Sequence, residues 1–137
     1  MIRTASAALK STLVAAVLAT ATFAAPAQAG GVLSVSLAPR NADEDRAMRA
    51  GLAIYAIANG IRNGGIRQSG TGNSAGLAQN GSGNLGVVHQ NGNGHNGTLS
   101  QTGNGNAHGL FQFGRNTSGH VAASGNGGTG ATFQFGW

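Results

Sequence analysis

Glutamine and asparagine recur in the second half of the chain at a spacing that would let their side-chain amides bind one another. Each primary amide both donates and accepts hydrogen bonds, so identical amides stacked above one another can form a continuous ladder. Glutamine returns every eleven residues, and Ala123 interrupts this column. The predicted ladder residues are Gln68, Gln79, Gln90, Gln101, Gln112, Gln134, Asn73, Asn84 and Asn106. This pattern favours hydrogen bonding between like side chains as the main chemistry of the chain.

The other chemically active side chains are not spaced for a reaction or for a metal ion. The histidines His89, His95, His108 and His120 fall in four different columns of the repeat, so no shared metal site is expected. The chain contains no cysteine, and residues 61–137 contain no acidic residue to complete a Ser/His/Asp arrangement. We therefore predict no catalytic residue, no metal site and no cofactor.

Glycine marks the connectors between the repeat units. It follows each glutamine by two residues, and in most units it follows by four residues as well. Glycine takes positive φ at no steric cost, which a tight turn repeated in every unit requires. The predicted turn glycines are Gly70, Gly72, Gly81, Gly83, Gly92, Gly94, Gly103, Gly105, Gly114, Gly125, Gly127 and Gly136.

Between the connectors, the residues alternate as they do in a strand with one buried face. In the first full unit, that face consists of Asn73, Ala75, Leu77 and Gln79. An aliphatic column on this face predicts a thin core of Ile66, Leu77, Val88, Leu99, Leu110 and Val121. The inward position held by Ala75 is glycine or His108 in the later units, which predicts looser packing there.

Two units of eleven residues make one rung of strand, turn, strand and turn. Rungs stacked at roughly 4.8 Å place every column directly above its copy. Residues 61–137 hold seven strand segments, which amounts to about three and a half two-stranded rungs. The predicted fold is therefore an all-β repeat region, a β-solenoid with cross-β stacking, preceded by a short helix.

The chain begins with a stretch that predicts a signal peptide over residues 1–29. Two basic residues precede an apolar run that is shorter than the roughly 20 residues needed to span a bilayer, and small residues suit cleavage after Ala29. Removal of this stretch would leave six scattered arginines against three acidic residues, without the basic stripe that follows a phosphate backbone. We expect a secreted protein with no nucleic-acid partner and no stable membrane insertion.

Residues 30–60 form a leading segment for which the sequence predicts a helix over residues 42–59. Asn41 is the expected N-cap, and Glu44 is its expected capping-box partner. The predicted apolar side consists of Met48, Leu52, Tyr55, Ile54 and Ala58. A strand is the alternative for the apolar run near the end of this segment, and the helix is the preferred interpretation. The repeat domain follows over residues 61–137.

The unit Q-x-G-x-G-N, followed by small and aliphatic residues and another Gln, resembles the curlin repeat. It occurs as QSGTGNSAGLAQ and as QNGSGNLGVVHQ, and the similarity is strong from Gln68 to Gln112 and weaker up to Trp137. Curlin-family proteins are secreted subunits of curli, the extracellular amyloid fibres of bacteria that support adhesion and biofilm formation. The resemblance implies a homopolymer on the bacterial cell surface. It also implies contacts with related curlin subunits, a curli-type outer-membrane secretion channel and periplasmic chaperones.

A soluble secreted β-solenoid that binds ice or a polysaccharide is the alternative function. Such a protein needs one residue type repeated across an outward face, whereas the outward positions here vary, as Ser74, Leu85 and Ala107 illustrate. The regular columns disfavour a disordered Gly/Asn-rich tail. For a fibre subunit, we expect a bare C-terminal rung that exposes Phe133, Phe135 and Trp137, and a helix that shields the opposite end.

Overall fold

The computed structural model describes residues 30–137, which contain one helix and eight strands. The leading segment forms β1 (Val32–Leu37) and α1 (Ala42–Ala58). The repeat strands are β2 (Gly64–Ser69), β3 (Ser74–Asn80), β4 (Leu85–Asn93), β5 (Asn96–Thr102), β6 (Ala107–Arg115), β7 (Ser118–Ser124) and β8 (Thr129–Gly136). The predicted signal peptide lies outside the described residues.

The repeat strands stack in two parallel sheets, which confirms the predicted β-solenoid. The large sheet has the strand order β1-β8-β6-β4-β2, and the small sheet has the order β3-β5-β7. Gln68 pairs with Gln90 and Gln79 pairs with Gln101, so each residue stacks on the residue two units later. The chain changes sheet at every connector, because eleven residues are enough for one strand and one tight turn. Two units therefore build one turn of the solenoid.

The predicted aliphatic column fills the space between the two sheets. Its buried members are Val88, Leu99 and Leu110, and Leu77 and Val121 pack against them. The prediction is wrong for Ile66, which pairs with Val88 but is 43% exposed. The reason is its position in β2, the first repeat strand, where no further rung covers the side chain.

A second apolar cluster, which we did not predict, lies on the outer face of the large sheet beneath α1. Its buried members are Val87, Ala107, Phe111 and Ala131 from the sheet and Leu52 and Ala56 from the helix. The helix itself is confirmed, and Met48, Leu52 and Tyr55 of its predicted apolar side contact this cluster. The predicted apolar side is wrong at Ile54, which is 68% exposed, and at Ala58, because the helix directs Leu52 and Ala56 at the sheet and turns positions 54 and 58 away from it.

The N-terminus of α1 is capped largely as predicted. The Asn41 side-chain oxygen accepts hydrogen bonds from the backbone N–H groups of Asp43 and Glu44 at 3.0 and 2.9 Å. The Glu44 carboxylate accepts from the N–H of Arg40 at 2.8 Å, not from that of Asn41, so the capping box is displaced by one residue. Three acidic residues in the first turn complement the positive end of the helix dipole.

The leading segment also contains β1, a strand that we did not predict from the sequence. β1 lies antiparallel on β8, with Val32 opposite Gly136 and Leu37 opposite Ala131. It covers the C-terminal edge of the large sheet, so the expectation of a bare C-terminal rung is wrong for that sheet. The expectation that the helix shields the opposite end is also wrong, because α1 packs on the outer face against β4, β6 and β8. Within residues 30–137, the outer edges of β1, β2, β3 and β7 carry no neighbouring strand.

Candidate functional site

The predicted glutamine ladder is present in both sheets. The donor–acceptor pairs are Gln68–Gln90, Gln90–Gln112 and Gln112–Gln134 in the large sheet and Gln79–Gln101 in the small sheet, with N···O distances between 2.7 and 2.9 Å. Gln90, Gln101 and Gln112 are buried almost completely. All of these amides donate toward the C-terminal rungs, so each bond polarises the next one along the column.

Four of the ladder glutamines, Gln90, Gln101, Gln112 and Gln134, also tie one sheet to the other. Gln90 donates its second side-chain N–H to the backbone carbonyl of Ser74 at 2.8 Å, and Gln112 donates to Asn96 at 3.0 Å. Gln90 thereby uses both of its N–H groups and its oxygen, as a buried amide must to offset its desolvation. The column therefore holds the two sheets at a fixed separation as well as joining the rungs.

The glycines of the inward column are tightly packed, so the expectation of loose packing is wrong. A Cβ placed on Gly97 would lie 2.5 Å from Oε1 of Gln112. A Cβ placed on Gly119 would lie 2.6 Å from Oε1 of Gln134. In each case a glutamine from the opposite sheet lies over the missing side chain. Glycine is needed here because it makes room for the ladder.

The two irregularities in these columns compensate each other. His108 occupies a position that other units give to glycine, and Ala123 occupies one that they give to glutamine. Nδ1 of His108 lies 3.3 Å from Nε2 of Gln101, so the ring accepts the hydrogen bond that a glutamine at position 123 would accept. Burial lowers the pKa of His108, and the Arg49 guanidinium lowers it further, which favours the neutral ring. The register continues past this point, since Gln101 still pairs with Ala123.

The predicted asparagines stack differently from the glutamines, and this part of the ladder prediction is corrected. Oδ1 of Asn84 accepts from the backbone N–H of Asn106 at 3.0 Å, and Nδ2 of Asn84 donates to the carbonyl of Gly103 at 2.8 Å. Asn73 and Asn106 make the equivalent pair of backbone contacts with the rung above them. The shorter side chain reaches the neighbouring main chain, so these residues join successive turns through the backbone.

A third polar column lies in the connectors, and we did not identify it from the sequence. Oδ1 of Asn93 accepts from both the backbone N–H and the hydroxyl of Thr71 at 3.0 Å. Asn104 binds Ser82 in the same way, at 2.9 and 3.2 Å. The sequence signal for this column was the same spacing of eleven residues, at Thr71, Ser82, Asn93 and Asn104, and again at Asn126 after an interruption at Arg115.

The predicted turn glycines adopt positive φ with one exception. Gly81 shows why glycine is required, since it has φ of 119° and a Cβ would lie 2.0 Å from the carbonyl oxygen of Gly103. The exception is Gly136, which lies within β8 opposite Val32. Where the glycine column is interrupted, Asn116 takes φ of 52°, and asparagine tolerates this left-handed conformation better than most residues.

Aromatic side chains also stack on the outer face of the large sheet. The ring centroids of Phe111 and Phe133 lie 5.0 Å apart, and those of Phe113 and Phe135 lie 5.4 Å apart. Tyr55 of α1 packs edge-on against Phe111 with a centroid distance of 5.3 Å. Phe135 remains 41% exposed, so the aromatic column leads to the C-terminal end of the solenoid.

Arg49 attaches the helix to one stack of turns. Its Nη1 donates to the carbonyl of Gly105 at 2.7 Å, and its Nη2 donates to that of Gly127 at 2.5 Å. Its Nε donates to Asp45 at 2.9 Å. The Thr129 hydroxyl and the Arg49 guanidinium lower the pKa of the Asp45 carboxyl. One guanidinium therefore bridges the carbonyls of two successive rungs.

Among residues 30–137, no group of three or more histidine, cysteine, aspartate or glutamate side chains is placed to hold a metal ion. No helix in the same part of the chain is long and apolar enough to cross a membrane. No family model, curated protein or solved structure matches the chain. The resemblance to curlin repeats therefore stays a prediction.

Proposed function

We propose that this protein is a secreted structural subunit that self-assembles into extracellular, curli-like amyloid fibres for adhesion and biofilm matrix. The observation that carries the proposal is the parallel register of 22 residues in which buried glutamines of successive rungs bind one another. A rung built in this way presents to the next rung the same groups that it receives from the previous one. In the large sheet, the repeat strands of a second copy therefore need no new kind of contact to stack.

The two ends of the glutamine ladder in the large sheet are complementary. Among the described residues, Oε1 of Gln68 has no hydrogen-bond donor, and Gln134 uses one side-chain N–H, on the backbone carbonyl of Ser118. The remaining N–H of Gln134 is the donor that Oε1 of Gln68 in a second copy requires. Head-to-tail stacking would extend the ladder with its direction unchanged, and each added bond would form in a dry environment.

The proposed partners follow from the same contacts and from the resemblance. Further copies of this chain are the main partner, since identical rungs give matching columns. Related curlin subunits, a curli-type outer-membrane secretion channel and periplasmic chaperones are proposed from the resemblance to curlin proteins. No nucleic acid and no cofactor enters the proposal.

Fibre formation by the purified chain, residues 30–137, is the direct test. We expect assembly with a lag phase that preformed seeds abolish, followed by amyloid-dye fluorescence. Aligned fibres should give a cross-β reflection at about 4.7 Å, which corresponds to the spacing between strands. A chain that remains monomeric for days at high micromolar concentration, with or without seeds, would contradict the proposal.

A soluble binding module is the second candidate, and one observation favours it. Nothing in residues 30–137 covers the outer face of the small sheet. This face carries small, mostly uncharged side chains, namely Ser74, Ala78, Asn96, Thr98, Ser100, Ser118, His120 and Ala122. A flat face of this kind suits a hydroxyl-rich surface such as ice or a polysaccharide. Inhibition of ice recrystallisation, or co-sedimentation with insoluble polysaccharide, by a protein that stays monomeric would favour this candidate over the fibre subunit.

A further inference from the structure

We propose that β1 is a displaceable cap, which closes the C-terminal edge of the isolated subunit and leaves β8 when a second copy adds its β2 there. The inference rests on the proposed function, because it states which contact limits self-assembly. The two edges that pair in the assembly are the outer edge of β2 in the incoming copy and the edge of β8 that β1 now covers.

The direction of β1 shows that it closes the stack. Every other strand pair in residues 30–137 is parallel, whereas β1 and β8 are antiparallel. Ser34 lies opposite Gln134, so β1 supplies no amide to the glutamine column. The backbone of β8 is thus hydrogen-bonded to β1, whereas the glutamine ladder ends at Gln134. While β1 stays in place, β8 itself cannot pair with a second parallel strand.

The same edge of β8 is the one that a second copy needs. Continuing the register of 22 residues would place β2 of that copy beside β8, with its Gln68 above Gln134. In the isolated subunit, β2 has a free outer edge, and Gln68 and Ile66 on it are exposed. Within residues 30–137, the edge of β2 is therefore free to pair, and the edge of β8 that it would pair with is occupied by β1.

The contacts of β1 are sufficient to close the edge but bury little side-chain surface. Gly31 and Trp137 exchange two backbone hydrogen bonds of 3.0 Å, and the Ser36 and Thr132 hydroxyls lie 3.0 Å apart. No side chain of β1 is fully buried, and Val32 is 53% exposed. The strand is held mainly by its backbone hydrogen bonds, which an incoming strand would replace one for one.

The helix does not depend on β1 for its attachment. Residues 38–41 connect the two elements, and α1 is fixed separately by Leu52 and Ala56 on the sheet and by Arg49 on the turns. β1 can therefore leave β8 while the solenoid and α1 stay folded. A stack of two copies also has one empty strand position beside β7, because the large sheet supplies four repeat strands and the small sheet three. With six residues against the seven of β7, β1 is long enough to fill that position.

A disulfide lock between β1 and β8 tests the inference in the full chain. Ser36 and Thr132 are register partners with facing hydroxyls, and the chain has no native cysteine that would form a competing disulfide. In the S36C/T132C variant, we expect elongation from wild-type seeds to fall about tenfold or more on oxidation and to recover on reduction. The single variant S36C, treated with the same oxidant, should elongate at one rate throughout.

A second variant changes the cap in the opposite direction. Val35→Pro removes a backbone N–H from β1 and weakens its pairing with β8, so we expect a shorter lag and faster elongation than in the wild type. Equal elongation rates for the oxidised and reduced double-cysteine variant, or an unchanged rate for Val35→Pro, would overturn the cap and leave the proposed function intact. Failure of the wild type to form fibres under any condition would overturn both.

Discussion

Nε2 of Gln101 lies 3.3 Å from Nδ1 of His108, so a histidine accepts the hydrogen bond that a glutamine accepts in the other column. The geometry requires the ring to be unprotonated at Nδ1. It also explains why Ala123, which lacks an amide, does not interrupt the stack. The larger His108 replaces a glycine of the regular units, and the smaller Ala123 replaces a glutamine.

The compensation predicts strong coupling between these two positions. His108→Gly should leave a void and an unpaired N–H on Gln101, and Ala123→Gln should force an amide against the His108 ring. We expect each single variant to lower the free energy of unfolding by about 1–3 kcal/mol, and the double variant to recover most of that loss. Urea unfolding of the monomer measures all three. Additive single effects would mean that the two positions are independent.

The lowered pKa of His108 predicts a dependence of stability on pH. Burial is the main cause of the shift, and the Arg49 guanidinium adds to it. Because the folded pKa lies below the unfolded value of about 6.5, the unfolded chain binds more protons in this range. The contribution is therefore present above about pH 6.5 and is lost as the pH falls through the folded pKa. His89, whose pKa is lowered by burial and by Arg67, should act in the same direction.

Unfolding free energies measured between pH 7.5 and pH 5 test this expectation. The variant with His108→Gly and Ala123→Gln serves as the control, since it keeps the amide column without the titrating ring. Its stability should fall less steeply with acid than that of the wild type. Parallel curves for the two proteins would rule out His108 as a source of the pH dependence.

The buried ladder predicts a large difference between two neighbouring substitutions. Gln90→Ala removes bonds to Gln68, Gln112 and Ser74 and leaves Oε1 of the buried Gln112 without a donor. We expect it to lower the free energy of unfolding by about 2–4 kcal/mol and to slow seeded assembly. Asn91→Ala is the matched control, because Asn91 is the next residue of β4 and its side chain is exposed. Equal effects of the two substitutions would contradict the column assignment.

The inward glycines predict a position-specific effect of a single methyl group. Gly97→Ala would place its Cβ 2.5 Å from Oε1 of Gln112, whereas the outward Gly76→Ala would meet only a methyl of Thr98 at 3.4 Å. We expect Gly97→Ala to destabilise the protein by about 1–3 kcal/mol. Gly76→Ala should be neutral or slightly stabilising, because alanine has less conformational entropy to lose on folding. Thermal unfolding distinguishes them, and a destabilised Gly76→Ala with an unaffected Gly97→Ala would reverse the assigned faces.

Arg49 provides a test of how the helix is attached. Arg49→Lys keeps the charge but cannot bridge the carbonyls of Gly105 and Gly127 together with Asp45. We expect a loss of about 1–2 kcal/mol in the free energy of unfolding and faster amide hydrogen exchange in the helix. Arg46→Lys is the control, since its ion pair with Asp43 is exposed. Identical exchange rates in the two variants would show that the apolar cluster alone holds the helix.

The spacing of eleven residues was sufficient to predict the regular part of the structure. Glycines at fixed intervals determine where the turns lie, and the alternation of residues determines which side chains point inward. Neighbouring strands pair in the register that places like residues above one another. The glutamine column, the turn glycines other than Gly136 and the central aliphatic residues follow from these local rules. The helix was also predictable, because the side chain of Asn41 caps it within the same short segment.

The tertiary structure decided how the ends and the faces are completed. Nothing local to Val32–Leu37 specifies β8 as its partner, since that pairing joins opposite ends of the described chain. The apolar outer face of the large sheet becomes a buried surface only because α1 crosses it, and Ile66 is exposed only because β2 is the outermost repeat strand. The exchange of roles between His108 and Ala123 requires two strands from different sheets to meet. These features depend on contacts between segments far apart in the sequence, which a repeat pattern does not encode.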